Sequence, residues 1–477
     1  MILAFDIGTS FLKSAVVDVH GRIVSRAQVP VRAACAGEPD RHECDPNTWL
    51  SGMSLVCAQL GLRAQNKIRA VVVSSNGPTL VPVSAEGEPL DFAMTWMDRR
   101  GEREAELISE FSDSHVDASF YLPKALWIMR HKPELYQKTR WFLPCAEFVT
   151  FFLTGNAYRV IPNPMFKEFF WNESAIPHVG LDAERFPPFI EPGESTGNVT
   201  PEAEDMLGIP AGLPVFCGGP DYVMSILGTA SVQPGRTCDR AGTSEGINLC
   251  WSAPVKDPRL LCYPHIAPGA YNVAGMLSAS GAAVQWAADS LARRKGEVDS
   301  LVKEAQEAPP GAKRLIFLPF LSSERFTLWP PRIRGTFLGL TFSHGRQEMM
   351  RAVMESSGFA VRRIIEVMEG NGCQVSDLRA TGGLSRIPFW CQLRADITGK
   401  RVCVPEQEDS ELVGNACVAL YGLGEHESPA AASEKLVSIG KTYQPDTSVR
   451  PLYDELYAAF IQACGDLDGT YGLLRGE

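Results

Sequence analysis

Residues 2–18 run Ile2-Leu3-Ala4-Phe5-Asp6-Ile7-Gly8-Thr9-Ser10-Phe11-Leu12-Lys13-Ser14-Ala15-Val16-Val17-Asp18, and the way this stretch folds decides the class of the whole chain. Ile2 to Phe5 is an apolar strand pattern, and Asp6-Ile7-Gly8-Thr9-Ser10 is a turn of glycine and hydroxyls. Alternation resumes from Lys13 to Asp18, and His20-Gly21 turns the chain again into Arg22-Ile23-Val24. Strand, turn, strand, turn, strand is a hairpin meander. A dinucleotide site or a P-loop needs a helix directly after its glycine turn, so neither fits here.

The same device returns later in the chain. Gly235 to Cys250 reads as a second hairpin, with Asp239-Arg240-Ala241-Gly242-Thr243-Ser244 leading into its tip. Glycine at a hairpin tip lets backbone N–H groups approach an anion, and flanking hydroxyls add donors, so two such tips can grip a polyphosphate from both sides. Gly382-Gly383, between a strand at Leu378 to Thr381 and a helix from Pro388 to Thr398, is a third candidate for a phosphate or ribose. Asp6 is placed to hold Mg²⁺, directly or through water, or else to cap its own turn. Asp221, after Cys217-Gly218-Gly219-Pro220 and at the start of a helical pattern, is either a helix cap or the base of a phosphoryl-transfer site. The two roles are compatible, because a carboxylate at a helix N-terminus stays ionised.

Working outward, helical spacing of Trp49, Met53, Val56 and Leu60 covers Asp45 to Leu60, and a strand at Ile68 to Ser74 leads into the turn Ser75-Asn76-Gly77-Pro78. Strand-like Ala93 to Trp96 delivers Met97-Asp98-Arg99-Arg100; helices follow at 101–111 and 123–131. Ile161 to Pro201 reads as irregular connecting structure, and Pro214 to Cys217 as a short buried strand before a helix at Tyr222 to Thr229. Beyond, helices are expected at Ala279 to Arg293, Gln347 to Met368 and Glu411 to Leu423, with strands at Arg314 to Pro319 and Val402 to Val404. The pattern starts again near residue 250, which sets the expected domains at 1–248 and 249–477.

Two motif matches fail on context. Gly242-Thr243-Ser244-Glu245-Gly246 fits the nucleophile elbow of serine hydrolases, but Ile247 to Trp251 is extended where that motif requires a helix. Gly440-Lys441-Thr442 resembles the end of a Walker A loop, yet Lys435 stands where a glycine is needed, and a helix C-cap followed by a strand is the expectation. The eight histidines show no metal-ligand spacing.

The 477 residues exceed what a single core usually supports, so two domains with chemistry in the cleft between them are expected. With 45% hydrophobic and 21% charged residues the composition is that of an ordinary globular protein. Lys plus Arg total 45 against 56 Asp plus Glu, a formal charge of -11 without a basic run, which argues against nucleic acid. The longest apolar runs, such as Leu315 to Leu318, are far too short to span a bilayer, and MILAFDIG has no basic region of a signal peptide. Thirteen cysteines without a CxxC pair point to reduced thiols and a cytoplasmic protein.

On these residues the chain resembles the FGGY carbohydrate kinases, in particular their xylulokinase-like branch. The segments that carry the resemblance are FDIGTSFLKSAVVD, DRHECDPNTW, TWMDRR, GGPDYVMSILGTA, DRAGTSEGIN, LSASGAAVQW, FLPFLSSERF, GTFLGLTFSHGRQEMMRAVMESSGFAVR and ATGGLSRIPFW, in the family's order over nearly the whole chain. The resemblance implies an α/β protein of two actin-like, ribonuclease H-like domains, with ATP in the interdomain cleft and the transfer of a phosphoryl group to a small sugar. It assigns Asp221 as catalytic base and Asp6 as the magnesium-associated carboxylate. Thr9, Ser10 and Lys13 then form the first phosphate loop, Gly242, Thr243 and Ser244 the second, and Gly281, Gln285, Gly382 and Gly383 nucleotide contacts. Asn76, Trp96, Asp98 and Tyr222 face the sugar. Three positions depart from the family: Asn76-Gly77-Pro78-Thr79 replaces Gln-Met-His-Gly, Tyr222 follows the base where Asn or Gln is usual, and Leu384 stands for a third glycine. A ketopentose such as xylulose is the favoured substrate, with glycerol, erythritol or ribulose as alternatives, a non-catalytic nucleotide sensor as the rival class, and a homodimer left open.

Overall fold

The computed structural model describes residues 1–31, 40–61, 67–112, 116–292, 294, 296–322, 328–330, 332–475. Arg293 and residues 323–326 of the FLPFLSSERF segment lie outside them. Two compact units emerge: the first comprises Met1–Gly228, Tyr263–Pro268 and Asp409–Val437, the second Thr229–Cys262, Gly269–Glu408 and Ser438–Glu477.

The main sheet of the first unit contains β1 (Ile2–Ile7), β2 (Phe11–Val17), β3 (Ile23–Pro30), β4 (Ala70–Ser75), β5 (Ser195–Asn198) and β6 (Pro214–Pro220), in the order β5-β6-β4-β1-β2-β3. β1, β2 and β3 form the antiparallel meander; β4 adds parallel to β1, and β6 parallel to β4. Every residue of β1 is buried, as expected of a central strand covered on both faces, which explains its near-continuous apolar run. The helix Asn47–Leu60 covers the sheet through Trp49, Met53, Val56 and Leu60, and ends on Gly61 in the left-handed conformation. A smaller four-stranded sheet of Glu43–Cys44, Ala93–Met94, Leu80–Val83 and Trp141–Pro144 stands beside it.

Six strands of the main sheet lie wholly within the second unit, β7 (Arg236–Ala241), β8 (Glu245–Trp251), β9 (Tyr271–Leu277), β10 (Asp377–Thr381), β11 (Val402–Pro405) and β12 (Ile439–Tyr443), in the order β9-β8-β7-β10-β11-β12, and Ile316–Leu318 pairs with Thr336–Leu338 in a separate two-stranded sheet. β7, β8 and β9 are an antiparallel meander, β10 joins β7 in parallel, β11 joins β10 in parallel, and β12 closes the edge antiparallel. Five strands repeat the topology of the first unit, the meander and the two parallel additions; the antiparallel edge strand differs, since β5 precedes β6 in the chain while β12 follows β11. The 25-residue helix Arg346–Gly370 covers this sheet with Met350, Val353, Met354, Val361, Ile364 and Ile365 turned inward.

The repeat corrects where the pattern restarts. β7 and β8 open the second sheet, so residue 248 falls inside β8, while the compact units part between Gly228 and Thr229. Alternation alone does not say to which sheet a hairpin belongs. The C-terminal segment Asp409–Val437 returns to the first unit, where the helix Ser410–Gly422 packs on the helix Asp221–Gly228. Their backbones touch: a Cβ on Gly414 would lie 2.0 Å from the Met224 carbonyl oxygen, and one on Gly228 1.8 Å from that of Ser410. Within the expected irregular stretch, β5 forms an edge strand whose alternation is broken by a bulge at Gly197. Gly440 is a residue of β12 and not a helix C-cap, since the preceding helix already ends at Leu436.

Candidate active site

Asp221 is the first residue of its helix, delivered by the buried strand β6, and is half-buried. Gly219, at φ 81°, takes the left-handed conformation at the bulge of β6, where the register against β4 shifts between Cys217 and Gly219 and pairing continues to Pro220. Tyr222 packs edge-on against Phe170 and Tyr263, with ring centroids 6.5 and 6.0 Å away, so the position after Asp221 belongs to an aromatic wall. An amide at this position would instead add hydrogen-bonding groups.

Asp6 does not cap its own turn: it sits inside β1, 4% exposed, and its Oδ1 accepts a 2.8 Å hydrogen bond from the Ser74 hydroxyl on β4. Asn415 Nδ2 donates to that hydroxyl oxygen at 2.7 Å and to the Phe5 carbonyl at 2.9 Å, completing a relay from the helix Ser410–Gly422 to Asp6. Burial, then repulsion from Glu411 and Asp221, pushes the Asp6 carboxyl up to about 8, against the pull of Lys13 and Ser74. Lys13 lies 3.4 Å from Asp409 and 3.8 Å from Glu411, and Glu411 above all raises its ammonium above the ordinary value. Glu411 also accepts from the Ser225 hydroxyl at 3.0 Å, one turn after Asp221.

Asp6, Asp221, Glu411 and Asp409 thus share a basin with the half-buried Lys13 and the mostly exposed Arg26 at its rim. Such a donor set fits a divalent cation. Among the described residues no three His, Cys, Asp or Glu side chains form a cage for a metal. Mg²⁺ would therefore be held by one or two carboxylates with water and phosphate oxygens supplying the rest, the usual arrangement for nucleotide-borne Mg²⁺.

At the first hairpin, Gly8 N–H donates to the Phe11 carbonyl at 2.9 Å, which leaves Thr9 and Ser10 exposed at the tip. Trp96 Nε1 donates to Thr9 Oγ1 at 2.9 Å and so braces the tip from the Thr95–Met97 side. Gly8, Thr9, His42, Asn76, Thr95 and Met97 line a small, partly open concavity. Asn76 is 8% exposed; its Nδ2 donates to the Ile7 carbonyl, and its Oδ1 accepts from Thr79. Asp98, expected to face the sugar, is held inside the first unit. It is fully buried, and its oxygens accept from Arg100 Nε and Nη2 and from the His42 and Arg100 N–H groups. Arg100 in turn bonds Glu43 at 2.7 Å and lies over the Trp127 ring.

In the second unit the tip Gly242-Thr243-Ser244 is closed by Gly242 N–H donating to the Ser244 carbonyl at 3.0 Å. Gly281 and Ala282 N–H groups, at the start of the helix Gly281–Leu291, donate to the Gly242 and Thr243 carbonyls at 3.0 Å, so the helix end is seated on the hairpin. Gly281 has no room for a side chain, since a Cβ would stand 2.4 Å from the Gly242 carbonyl oxygen. Gln285 is exposed, with its Nε2 on Asp289. Gly382, at φ 92°, approaches the other rim: its Cβ would be 2.5 Å from the Ala241 carbonyl oxygen. Gly383 is exposed beside it, while Leu384 turns into the core. Ser244 is followed by strand β8, which disposes of the nucleophile-elbow geometry.

The candidates fall into two groups, one around Asp6 and Asp221 in the first unit and one around the second hairpin in the other. Sequence reasoning missed Ser74, Asp409, Glu411 and Asn415. Glu411 and Asn415, polar residues one turn apart in an otherwise apolar helix, were the available signal.

The models of the N- and C-terminal domains of the FGGY family of carbohydrate kinases match residues 1–228 and 240–423. The xylulose kinase of Staphylococcus epidermidis is 24% identical over 478 residues, covering 96% of this chain and 95% of its own. The gluconokinase of Bacillus subtilis strain 168 is 27% identical over 507 residues, covering 98% and 96%. Among solved structures, xylulose kinase from Rhodospirillum rubrum has a TM-score of 0.83 at 26% identity, covering 98% of this chain and 99% of that one. Plasmodium falciparum glycerol kinase, at 20% identity, 97% and 98% coverage and a TM-score of 0.81, shares the fold. With both domain models matched in order over most of its length and an actin-like unit behind each, the chain belongs to the FGGY family of carbohydrate kinases.

Proposed function

We propose that the protein transfers the γ-phosphoryl group of ATP to a primary hydroxyl of a small sugar, with xylulose or a related ketopentose as the acceptor. The observation that carries this is the position of Asp221: a half-buried carboxylate at a helix start, in the same basin as Asp6 and Lys13, in a chain of the carbohydrate kinase family.

In the proposed reaction Asp221 accepts the proton of the attacking hydroxyl, which becomes the new ester oxygen as the bond to the ADP oxygen breaks. Mg²⁺, when bound, offsets charge on the transferring phosphates, and Asp6 is the carboxylate on this chain best placed to hold it. Lys13, fixed between Asp409 and Glu411, and the donors of the Gly8–Ser10 and Gly242–Ser244 tips orient the phosphate chain. Because the transition state of phosphoryl transfer is loose, positioning and electrostatics supply most of the acceleration. Arg100, anchored by Asp98 and Glu43, holds the segment from which Trp96 reaches Thr9.

Xylulose is put first on the xylulose kinase relatives. Gluconate is the second reading, favoured by the 27% identity with a gluconokinase. A coupled ADP-release assay across xylulose, ribulose, erythritol, glycerol and gluconate tests this directly. Turnover with a ketopentose at least tenfold above the other acceptors is expected; turnover with none would leave a nucleotide sensor, and preference for gluconate would replace the substrate.

A further inference from the structure

Beneath the second hairpin lies a charged cluster that phosphoryl transfer as described above does not use. Asp239 on β7 and Glu245 on β8 are fully buried, and Arg394, from the helix Pro388–Thr398, is 1% exposed with its side chain wholly enclosed. In the antiparallel register Ala241 faces Glu245 and Asp239 faces Ile247, so the two carboxylates are diagonal neighbours on one face, one on each rim of the tip Gly242-Thr243-Ser244. Arg394 comes down on that face. Its Nη2 bonds Glu245 Oε1 at 2.5 Å, its Nε stands 3.5 Å from Asp239 Oδ2, its Nη1 donates to the Ser357 carbonyl at 2.9 Å, and its guanidinium lies 4.5 Å from the Trp390 ring centroid.

Two carboxyls and one guanidinium leave one negative charge in excess in a place closed to water. Asp239 Oδ1 and Oδ2 and Glu245 Oε2 make no well-formed hydrogen bond as they stand, the nearest donors being Arg394 Nε, 3.5 Å from Asp239, and the Ser280 hydroxyl near Glu245. A single proton on Glu245, which touches Asp239 and has the Ser280 hydroxyl beside it, satisfies the pair and cancels the excess. Burial first, and Asp239 next, push the Glu245 carboxyl well up, in keeping with that proton.

The elements tied together are those assigned to the nucleotide. Arg394 sits on the helix that follows Gly382-Gly383, and Ser280 precedes Gly281 at the helix seated on the tip. We propose that Arg394 is a positioning residue for the nucleotide phosphates: by joining Asp239 and Glu245 to the helix after Gly382-Gly383, it holds the Gly242–Ser244 tip and the glycine loop as one rigid cradle. This rests on the assignment of the tip as a phosphate contact. Like-charged or unpaired groups so deeply buried are costly, so such a cluster persists only where its geometry is enforced from all sides.

The test uses the full chain, MgADP as ligand, titration calorimetry and hydrogen exchange of the peptide that carries residues 239–246. Arg394→Lys keeps the charge but cannot span both rims; Arg394→Met removes it. Each is expected to weaken MgADP binding roughly tenfold or more, because displacing a positioning group by about an ångström costs up to 10²-fold, and to speed exchange at the tip. The single variants Asp239→Asn and Glu245→Gln each weaken one of the two links to Arg394, and their MgADP affinity should fall between that of the wild type and those of the Arg394 variants. The double variant leaves the guanidinium uncompensated and should lose far more than the singles combined. If the wild-type tip gains no protection from MgADP, the phosphate assignment itself fails. If the wild-type tip is protected and both Arg394 variants, folded, bind and protect like the wild type, the positioning role is refuted while the assignment stands. If the Met variant does not fold, the Lys variant decides.

Discussion

Glu147 is buried on the helix Cys145–Thr154, close enough to Tyr121 and Cys217 to act on both electrostatically. It accepts a 3.0 Å hydrogen bond from Val160 N–H, and burial pushes its carboxyl from 4.5 to about 7, against the pull of that bond, of its own N–H and, least, of Arg159. Below pH 4.5 the group is protonated in both folded and unfolded chains and has no effect. Between pH 4.5 and about 7 the unfolded chain releases its proton while the folded chain keeps it, so stability falls as pH rises; above about 7 the loss is complete. At about 1.4 kcal/mol per pH unit, that loss is about 3 kcal/mol at pH 8. Glu147→Gln keeps the acceptor for Val160 and carries no charge, so it removes the loss. Thermal unfolding at pH 8 should show the variant melting roughly 6 °C above the wild type, at about 2 °C per kcal/mol for a large domain. The two should converge toward pH 4.5. A variant that melts at or below the wild type at pH 8, or one that keeps the wild-type pH dependence, would refute the reasoning.

Asn415→Ala breaks the relay to Asp6 and leaves the Phe5 carbonyl and the Ser74 hydroxyl short of a donor; a loss of about 1–3 kcal/mol is expected. Calorimetric melting measures that loss, and a severalfold rise in the Mg²⁺ concentration for half-maximal turnover reads the loosened carboxylate. Gly382→Ala places a Cβ 2.5 Å from the Ala241 carbonyl oxygen at φ 92°, so the glycine loop must move. Titration with MgADP should find binding weakened by at least tenfold with little change in sugar KM, and an unchanged dissociation constant would show that the loop does not contact the nucleotide.

The parts of the site that were legible in sequence are those written locally. Alternation around Gly8 and Gly242, and a glycine pair ending a strand before Asp221, state a hairpin or a strand exit within about ten residues. What was not legible depends on contacts far apart along the chain. Asn415 Nδ2 meets the Phe5 carbonyl across 410 positions, and no local pattern announces that the segment Asp409–Val437 returns to the first unit. The glycines that permit the return, Gly228 and Gly414, look in sequence like ordinary helix residues. Asp98, which only the family resemblance assigned to the sugar, is buried against Arg100, and no local pattern announces that pairing. The boundary was misplaced by about twenty residues because the hairpin β7–β8 alternates in the same way whichever sheet it joins.

The most direct measurement is single-turnover transfer from ATP to the accepted sugar by Asp221→Asn, with MgADP affinity determined on the same preparation. Asn preserves size and helix position and removes the base. A fall in the transfer rate of about 10² to 10⁴ with nucleotide binding within a few-fold of the wild type is predicted. Transfer by the Asn variant at the wild-type rate would contradict the account, and the base would have to be sought elsewhere.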